Sequence, residues 1–190
     1  MNFYDIVMKP LEAGLLGKIR SEIVPLAHGH VLETAMGTGA NLPYYNPEKI
    51  ISFTGSDKEV SVEGEAKGKN LFHDSFHMIP ADLEALPLPN GHFDSVVSTL
   101  VLCTANIHKS LAEIQRVLKP GGLFIFIEHI KPKGNLGILA DTVNKLWPKL
   151  AQGCNLNRHT DEIIKSSGFT NLNIHYKGAG IFCYGLAVKA

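Results

Sequence analysis

The stretch Val31-Leu-Glu-Thr-Ala-Met-Gly-Thr-Gly39 constrains the fold more than any other part of the chain. Val31 and Leu32 are strand formers, Glu33 closes the apolar run, and Gly37 and Gly39 follow where a tight turn must form. Glycine adopts positive φ at little steric cost and lets a ligand approach the backbone. A strand that ends this way places a nucleotide-like ligand over the edge of a sheet. Glu33 is set to accept hydrogen bonds from groups across the turn, which is expected to lead from strand into helix.

Further along, apolar residues recur at helical spacing between strand-like runs. Leu11, Leu15, Leu16, Ile19 and Ile23 predict a helix over 11–27 that covers one face of the sheet. Pro25 and Gly29 release it into a strand at 30–35. Strands are also predicted at 49–54, 73–79, 93–99 and 123–128, the last a continuous apolar run suited to a central parallel strand. Ile107, Leu111, Ile114 and Leu118 mark an amphipathic helix from Asn106 that Pro120-Gly121-Gly122 stops. Residues 58–69 are charged and contain Gly64 and Gly68, so a short or poorly formed helix is expected there. Residues 136–150 and 160–167 read as helices, and strands at 171–176 and 181–188 can pair as a hairpin.

This alternation gives a doubly wound sheet by the crossover rule. The expected fold is α/β: one domain over residues 1–190, built on a seven-stranded, mostly parallel sheet with a C-terminal antiparallel hairpin. Residues 1–28 are expected to form an N-terminal covering region. Residues 134–168 are expected to supply substrate-side helices, with Leu136, Ile138, Leu139, Trp147 and Leu150 as an apolar wall.

Composition narrows the function classes. Among 190 residues, 18 basic and 18 acidic side chains cancel to a formal charge of zero. No basic stripe of the kind that nucleic-acid backbones require is present, so no nucleic-acid partner is expected. Cys103, Cys154 and Cys183 are far apart without a CxxC pair, which supports neither a disulfide framework nor a four-thiolate zinc site. His28 with His30, and His73 with His77, lack a third ligand in a recognisable pattern, so no metal is expected. The N-terminus does not read as a secretory leader, and no run approaches the ~18 apolar residues of a membrane span. A cytoplasmic protein without a stable membrane anchor is therefore expected, as a monomer or a homodimer.

Three segments, in order, carry a resemblance: Val31 to Asn41; Asp82-Leu-Glu-Ala-Leu-Pro-Leu-Pro-Asn-Gly-His-Phe-Asp-Ser-Val-Val-Ser98; and Leu118-Lys-Pro-Gly-Gly-Leu-Phe-Ile-Phe-Ile-Glu-His129. Together they resemble class I S-adenosylmethionine-dependent methyltransferases of the ubiquinone and menaquinone type. Asn41-Leu-Pro-Tyr-Tyr45, Val101-Leu-Cys-Thr104, Glu128-His129 and Gly153-Cys-Asn-Leu-Asn-Arg158 are similar, more closely, to a thiol methyltransferase branch.

The resemblance implies a Rossmann-like methyltransferase fold, S-adenosylmethionine as cofactor and S-adenosylhomocysteine as product. It implies that Glu33, Ala35, Gly37, Thr38 and Gly39 border the methionine portion, Ala35 standing where the family usually has glycine. Asp57 would take the ribose hydroxyls, Asp82 and Leu83 would meet the adenine, and Thr99 and Leu100 would line the pocket from beneath. His129 and Arg158 are the catalytic candidates, favouring a thiolate or taking a proton. The acceptor is expected to be a small molecule bearing a thiol, a phenol or an activated carbon. Two alternatives remain at this stage: a non-catalytic cofactor-binding protein on the same fold, and a nicotinamide-dependent oxidoreductase. The segment Ala35-Met-Gly-Thr-Gly39 argues against the latter because it lacks G-x-G-x-x-G.

Overall fold

The chain folds around one sheet whose strands are β1 (Gly29–Thr34), β2 (Ile50–Asp57), β3 (Phe76–Pro80), β4 (Phe93–Thr99), β5 (Leu118–His129), β6 (Thr170–Lys177) and β7 (Phe182–Val188). Their spatial order is β3-β2-β1-β4-β5-β7-β6. The first five pair in parallel, and β7 runs antiparallel between β5 and β6. The computed structural model describes residues 12–150 and 153–190; Leu11 and the residues before it, within the predicted covering region, lie outside those described.

Successive strand side chains point to opposite faces, and the sequence fills both. Val31, Phe53, Val97, Ile125, Ile127 and Tyr184 pack on one face with Leu16, Ile19 and Ile23. The last two belong to α1 (Gly17–Ile23), which continues from a π-helical turn at Glu12–Leu16. On the other face Leu32, Val96, Phe124, Phe126 and Cys183 pack with Ile107, Leu111, Ile114 and Val117 of α3 (Ile107–Val117) and Ile164 of α6 (Thr160–Ser166). Each fully buried side chain of this size contributes about 1.5–3 kcal/mol. Asn106 caps α3 by accepting from the Lys109 N–H at 3.3 Å, and Arg116 donates to the Leu86 and Leu88 carbonyls, pinning the proline-rich loop before β4.

Several boundaries differ from the sequence reading. β2 runs on to Asp57, so that acid belongs to the strand. His73 takes φ +50 and opens a 3₁₀ turn, delaying β3 to Phe76. The segment predicted as one helix over 136–150 divides into α4 (Asn135–Val143) and α5 (Trp147–Leu150). Pro148 has no N–H to offer the Asn144 carbonyl, which a continuous helix would need. The turn after β1 leads not into an α-helix but into two 3₁₀ turns, Leu42–Tyr44 and Pro47–Lys49, each with proline in its first two positions.

The largest correction concerns residues 58–69. Val62–Phe72 is a full helix, α2, capped by Ser61 Oγ accepting from the Gly64 N–H at 3.2 Å. Glu63 with Lys67 and Glu65 with Lys69 form i,i+4 pairs on its outer side, each at 2.7 Å. The two glycines that lower its propensity are its contact face. A β-carbon on Gly64 would collide with the Gly37 carbonyl, and one on Gly68 with the Phe76 ring. Glycine here lets α2 lie close to the turn after β1.

Gly64→Ala and Gly68→Ala are the test. Alanine raises helix stability by about 1 kcal/mol where nothing opposes it. At these two sites the overlap should reverse the sign and lower unfolding free energy by about 1–3 kcal/mol, measured by urea denaturation.

Candidate cofactor and acceptor site

Strand order reverses between β1 and β4, and in open α/β sheets the ligand crevice lies beyond the carboxyl ends of the strands at that point. The residue after each of these strands is left-handed without being glycine: Ala35 at φ +50 and Leu100 at φ +57. Ala35, standing where the resemblance expects glycine, thus holds a backbone conformation that glycine takes at little cost. Such backbone is costly for residues with a β-carbon and clusters at functional sites. Leu100 is held there by its N–H donating to the Ile127 carbonyl at 2.8 Å. Gly37 is also left-handed, φ +54, and a β-carbon built on it would meet no atom within 4 Å. The backbone therefore faces open space at Gly37, as a cofactor cradle requires.

Asp57, ending β2, supports this cradle. Its Oδ2 accepts from the Gly37 N–H at 2.8 Å and its Oδ1 from the Glu59 N–H at 3.1 Å. A carboxylate has about four acceptor positions, so two remain for ligand hydroxyls. Thr38 is exposed and its carbonyl accepts from Lys67 Nζ, while Gly39 at φ +75 packs against Leu42. Asp82 pairs with Lys58 at 3.0 Å at the surface and accepts from the Glu84 N–H, whereas the Leu83 side chain points into the core beside Leu86.

Glu33 has a different setting. It is only 1% exposed, and its two oxygens accept from Asn41 Nδ2 at 2.9 Å and from the Tyr45 hydroxyl at 2.8 Å. Asn41 Nδ2 also donates to Thr99 Oγ1 at 3.0 Å, and Arg20 Nε donates to Asn41 Oδ1 at 2.8 Å. One buried network thus ties α1, the end of β1, the following turn and the end of β4 together. Burial pushes the Glu33 carboxyl up to about 7, against the opposing pull of its hydrogen bonds and of Arg20. Arg20, Asn41 and Tyr45 as partners of Glu33 are not legible in the sequence, where no spacing links them.

Beyond β4, the 100–105 loop is held from two sides. Glu128, fully buried at the end of β5, accepts from the Val101 and Leu102 N–H groups at 3.2 and 3.0 Å through Oε1, while its Oε2 has no partner. Burial raises its carboxyl to about 8. From the other side Arg158 Nη1 donates to the Leu102 and Ala105 carbonyls, and Asn155 donates to the Cys103 carbonyl from both N and Nδ2 at 3.1 Å. Arg158 thus meets the loop backbone.

His129 lines an apolar groove of about 190 Å³ with Pro132, Leu136, Leu139, Ala140, Val143, Leu156 and Ile181. Burial lowers the imidazole to about 4, and its ring packs edge-on to Phe182 at 5.5 Å. It is neutral at physiological pH. Ile138, Leu146 and much of Leu136 and Leu139 are exposed on the outer side of this segment. A larger cavity of about 680 Å³, lined by Lys131, Asp141, His159, Glu162, Lys165 and Tyr176 among others, lies away from the switch point. Among the described residues no group of three or more His, Cys, Asp or Glu is arranged to hold a metal, and no helix is long and apolar enough to cross a membrane.

Two predictions follow from these environments. Glu33 and Glu128 keep their protons in the folded chain at pH values where the unfolded chain has released them. Their contribution is complete below about 4.5 and is lost as pH rises through about 7 and 8. His129 runs oppositely: its contribution is complete above 6.5 and is lost as pH falls through about 4. Between pH 6.5 and 8 unfolding free energy should fall by on the order of 2–3 kcal/mol, and Glu128→Gln should flatten most of that slope in denaturant titrations. Separately, Ala35→Gly should relieve the left-handed backbone and raise stability by about 0.5–1 kcal/mol, read by thermal unfolding.

Comparison with known proteins places the site in context. A family model described as a methyltransferase domain matches residues 32–126. Thiol S-methyltransferase TMT1B of Rattus norvegicus is 31% identical over 153 residues, covering 77% of this chain and 62% of that protein. Demethylmenaquinone methyltransferase of Symbiobacterium thermophilum is 31% identical over 139 residues, covering 68% of this chain and 55% of that protein. The chain therefore spans less than two thirds of the length of either relative. Among solved structures, geranyl diphosphate C-methyltransferase from Streptomyces coelicolor A3(2), in complex with S-adenosyl-L-homocysteine, superposes with a TM-score of 0.68 at 12% identity, over 93% of this chain and 76% of that one. At that identity the likeness shows a shared fold.

Proposed function

From the fact that this chain belongs to the methyltransferase-domain family, we propose that it transfers a methyl group from S-adenosylmethionine to an apolar small molecule, a thiol foremost. The observation that carries the acceptor class is the groove at His129, whose lining is otherwise aliphatic or proline. An apolar body fits such a wall, and a single neutral imidazole can orient one polar nucleophile. The relatives point the same way, one named for thiols and one for demethylmenaquinone.

The cradle residues fit the cofactor. The open backbone at Gly37 gives room for it, Asp57 has acceptor positions for ribose hydroxyls, and Asp82 would stand at the adenine side. Thr38, Gly39 and Leu83 contribute through backbone, and Ala35 and Leu100 set the approach from the two strand ends. Glu33 acts from behind, holding Asn41 and through it Thr99. S-adenosylmethionine brings a methyl carbon already activated by a sulfonium.

What remains for the protein is alignment of two reactants and exclusion of water, which together can supply several kcal/mol of barrier reduction. His129 accepts the hydrogen of an incoming S–H or O–H and aims the lone pair at the methyl carbon. Because burial keeps the ring neutral, it orients better than it deprotonates, so acceptors with acidic hydrogens are favoured. Arg158 fixes the 100–105 loop that borders this approach.

Calorimetric titration with S-adenosylmethionine and then S-adenosylhomocysteine tests the cradle. One-to-one binding is expected, weakened about ten- to hundredfold by Asp57→Ala through two lost charge-assisted hydrogen bonds. Absence of binding to either at millimolar ligand would sink the proposal. With binding in hand, methylation of alkyl and aryl thiols should exceed that of phenols, and His129→Leu should reduce kcat/KM about 10²-fold while leaving cofactor affinity unchanged.

A further inference from the structure

The fold brings together two thiols that the sequence holds far apart. Cys103, in the loop after β4, and Cys154, in the segment after α5, are packed together, the Cys103 S–H donating to the Leu100 carbonyl at 3.7 Å. With Trp147 and Leu156 they form a small cluster separate from both main cores. They are 2% and 7% exposed, and neither is in a disulfide. Their backbones are pinned: the Cys103 carbonyl accepts twice from Asn155, next to Cys154, and Arg158 holds the carbonyls of Leu102 and Ala105. Two thiols packed together on fixed backbone can be joined with little movement.

The two sulfurs are not equivalent. Cys103, the Trp147 indole N–H and the Arg158 guanidinium, all beside Cys154, hold its thiol below the ordinary value. The indole N–H is buried and forms no hydrogen bond of its own, so an anionic sulfur is the acceptor it lacks. Cys103 is pushed the other way, by Cys154, by burial and by the nearby Glu128. The third cysteine, Cys183, is fully buried on β7 opposite Glu128, and burial pushes its thiol up.

We propose that Cys103 and Cys154 are a thiol–disulfide couple that reacts with small disulfides, oxidised glutathione being the simplest. Cys154, as thiolate, attacks one sulfur of the small disulfide; that S–S bond breaks, one small thiolate leaves and takes a proton, and a mixed disulfide forms on Cys154. Cys103 then gives up its proton and attacks the Cys154 sulfur. The second small thiolate leaves, protonated in turn. Two protein thiols have been oxidised and one small disulfide reduced to two thiols. The small disulfide reaches Cys154 first, through opening of the short α5 turn that carries Trp147. The bond so formed fastens the segment after α5 to the loop that Glu128 and Arg158 already hold. None of this requires methyl transfer.

The experiment is exposure of the reduced full chain to oxidised glutathione, followed by peptide mapping by mass spectrometry without reduction. Wild type should yield a Cys103–Cys154 linked peptide that a dithiol reductant reverses. Cys103→Ser should stop with glutathione retained on Cys154, Cys154→Ser should leave Cys103 unmodified, and Cys183→Ser should behave as wild type. Wild type that stays reduced at a glutathione disulfide concentration that modifies the urea-unfolded chain would overturn the proposal, as would linkage through Cys183. If a serine variant misfolds by circular dichroism, the wild-type map decides alone. The map needs no cofactor, so its result stands apart from that of the S-adenosylmethionine titration.

Discussion

Two carboxyl groups buried at strand ends hold the functional edge of this sheet. Glu33, near the end of β1, takes Asn41 and Tyr45; Glu128, near the end of β5, takes the N–H groups of Val101 and Leu102. Parallel strands leave their last backbone groups facing the loops that follow, and a buried polar group without a partner costs a few kcal/mol. Glu128 meets that need for the backbone after β4, and Glu33 meets it for the buried Asn41 amide and Tyr45 hydroxyl of the turn after β1. Removing a carboxylate from water is itself expensive, and both groups reflect it by holding protons near neutral pH.

Rigidity at this edge explains how Ala35 and Leu100 persist in backbone that their side chains disfavour. Strain of order 1–3 kcal/mol survives only where the surroundings over-determine it. Here the surroundings are the Arg20–Asn41–Glu33–Tyr45 network on one side and the Glu128–Arg158 clamp on the other. A reaction that asks mainly for alignment benefits from such a scaffold, because the cost of ordering the site is met in folding rather than in each encounter.

What the sequence disclosed is what periodicity and turn chemistry encode. The strand at 93–99 is legible to the residue, α3 to within a residue at each end, and the mostly parallel seven-stranded sheet with its C-terminal hairpin follows from alternation, while the strand order is seen only in the structure. The glycine turn after β1 and the acid at the end of β2 are legible as separate features, and the structure joins them through the Gly37 N–H and Asp57. Elsewhere local signals misled or were silent. Gly64 and Gly68 read as helix breakers because their reason lies at Gly37 and Phe76, remote in sequence. Pairing of Glu33 with Tyr45, or of Cys103 with Cys154, leaves no spacing to recognise. Glu128 stood inside a quoted motif, yet at the end of an apolar run it read as the edge of a strand; only burial reveals its hold on the 100–105 loop.

The close seat of α2 has a consequence for how proteins of this architecture vary. Positions 37, 64, 68 and 76 share one fixed volume: the helix can approach only because Gly64 and Gly68 put no side chain where the Gly37 carbonyl and the Phe76 ring stand. A homologue with a bulkier residue at 64 must lift its helix from the turn after β1. The residue at that one position is therefore a gauge, readable without coordinates, of how closely the helix can sit on that turn.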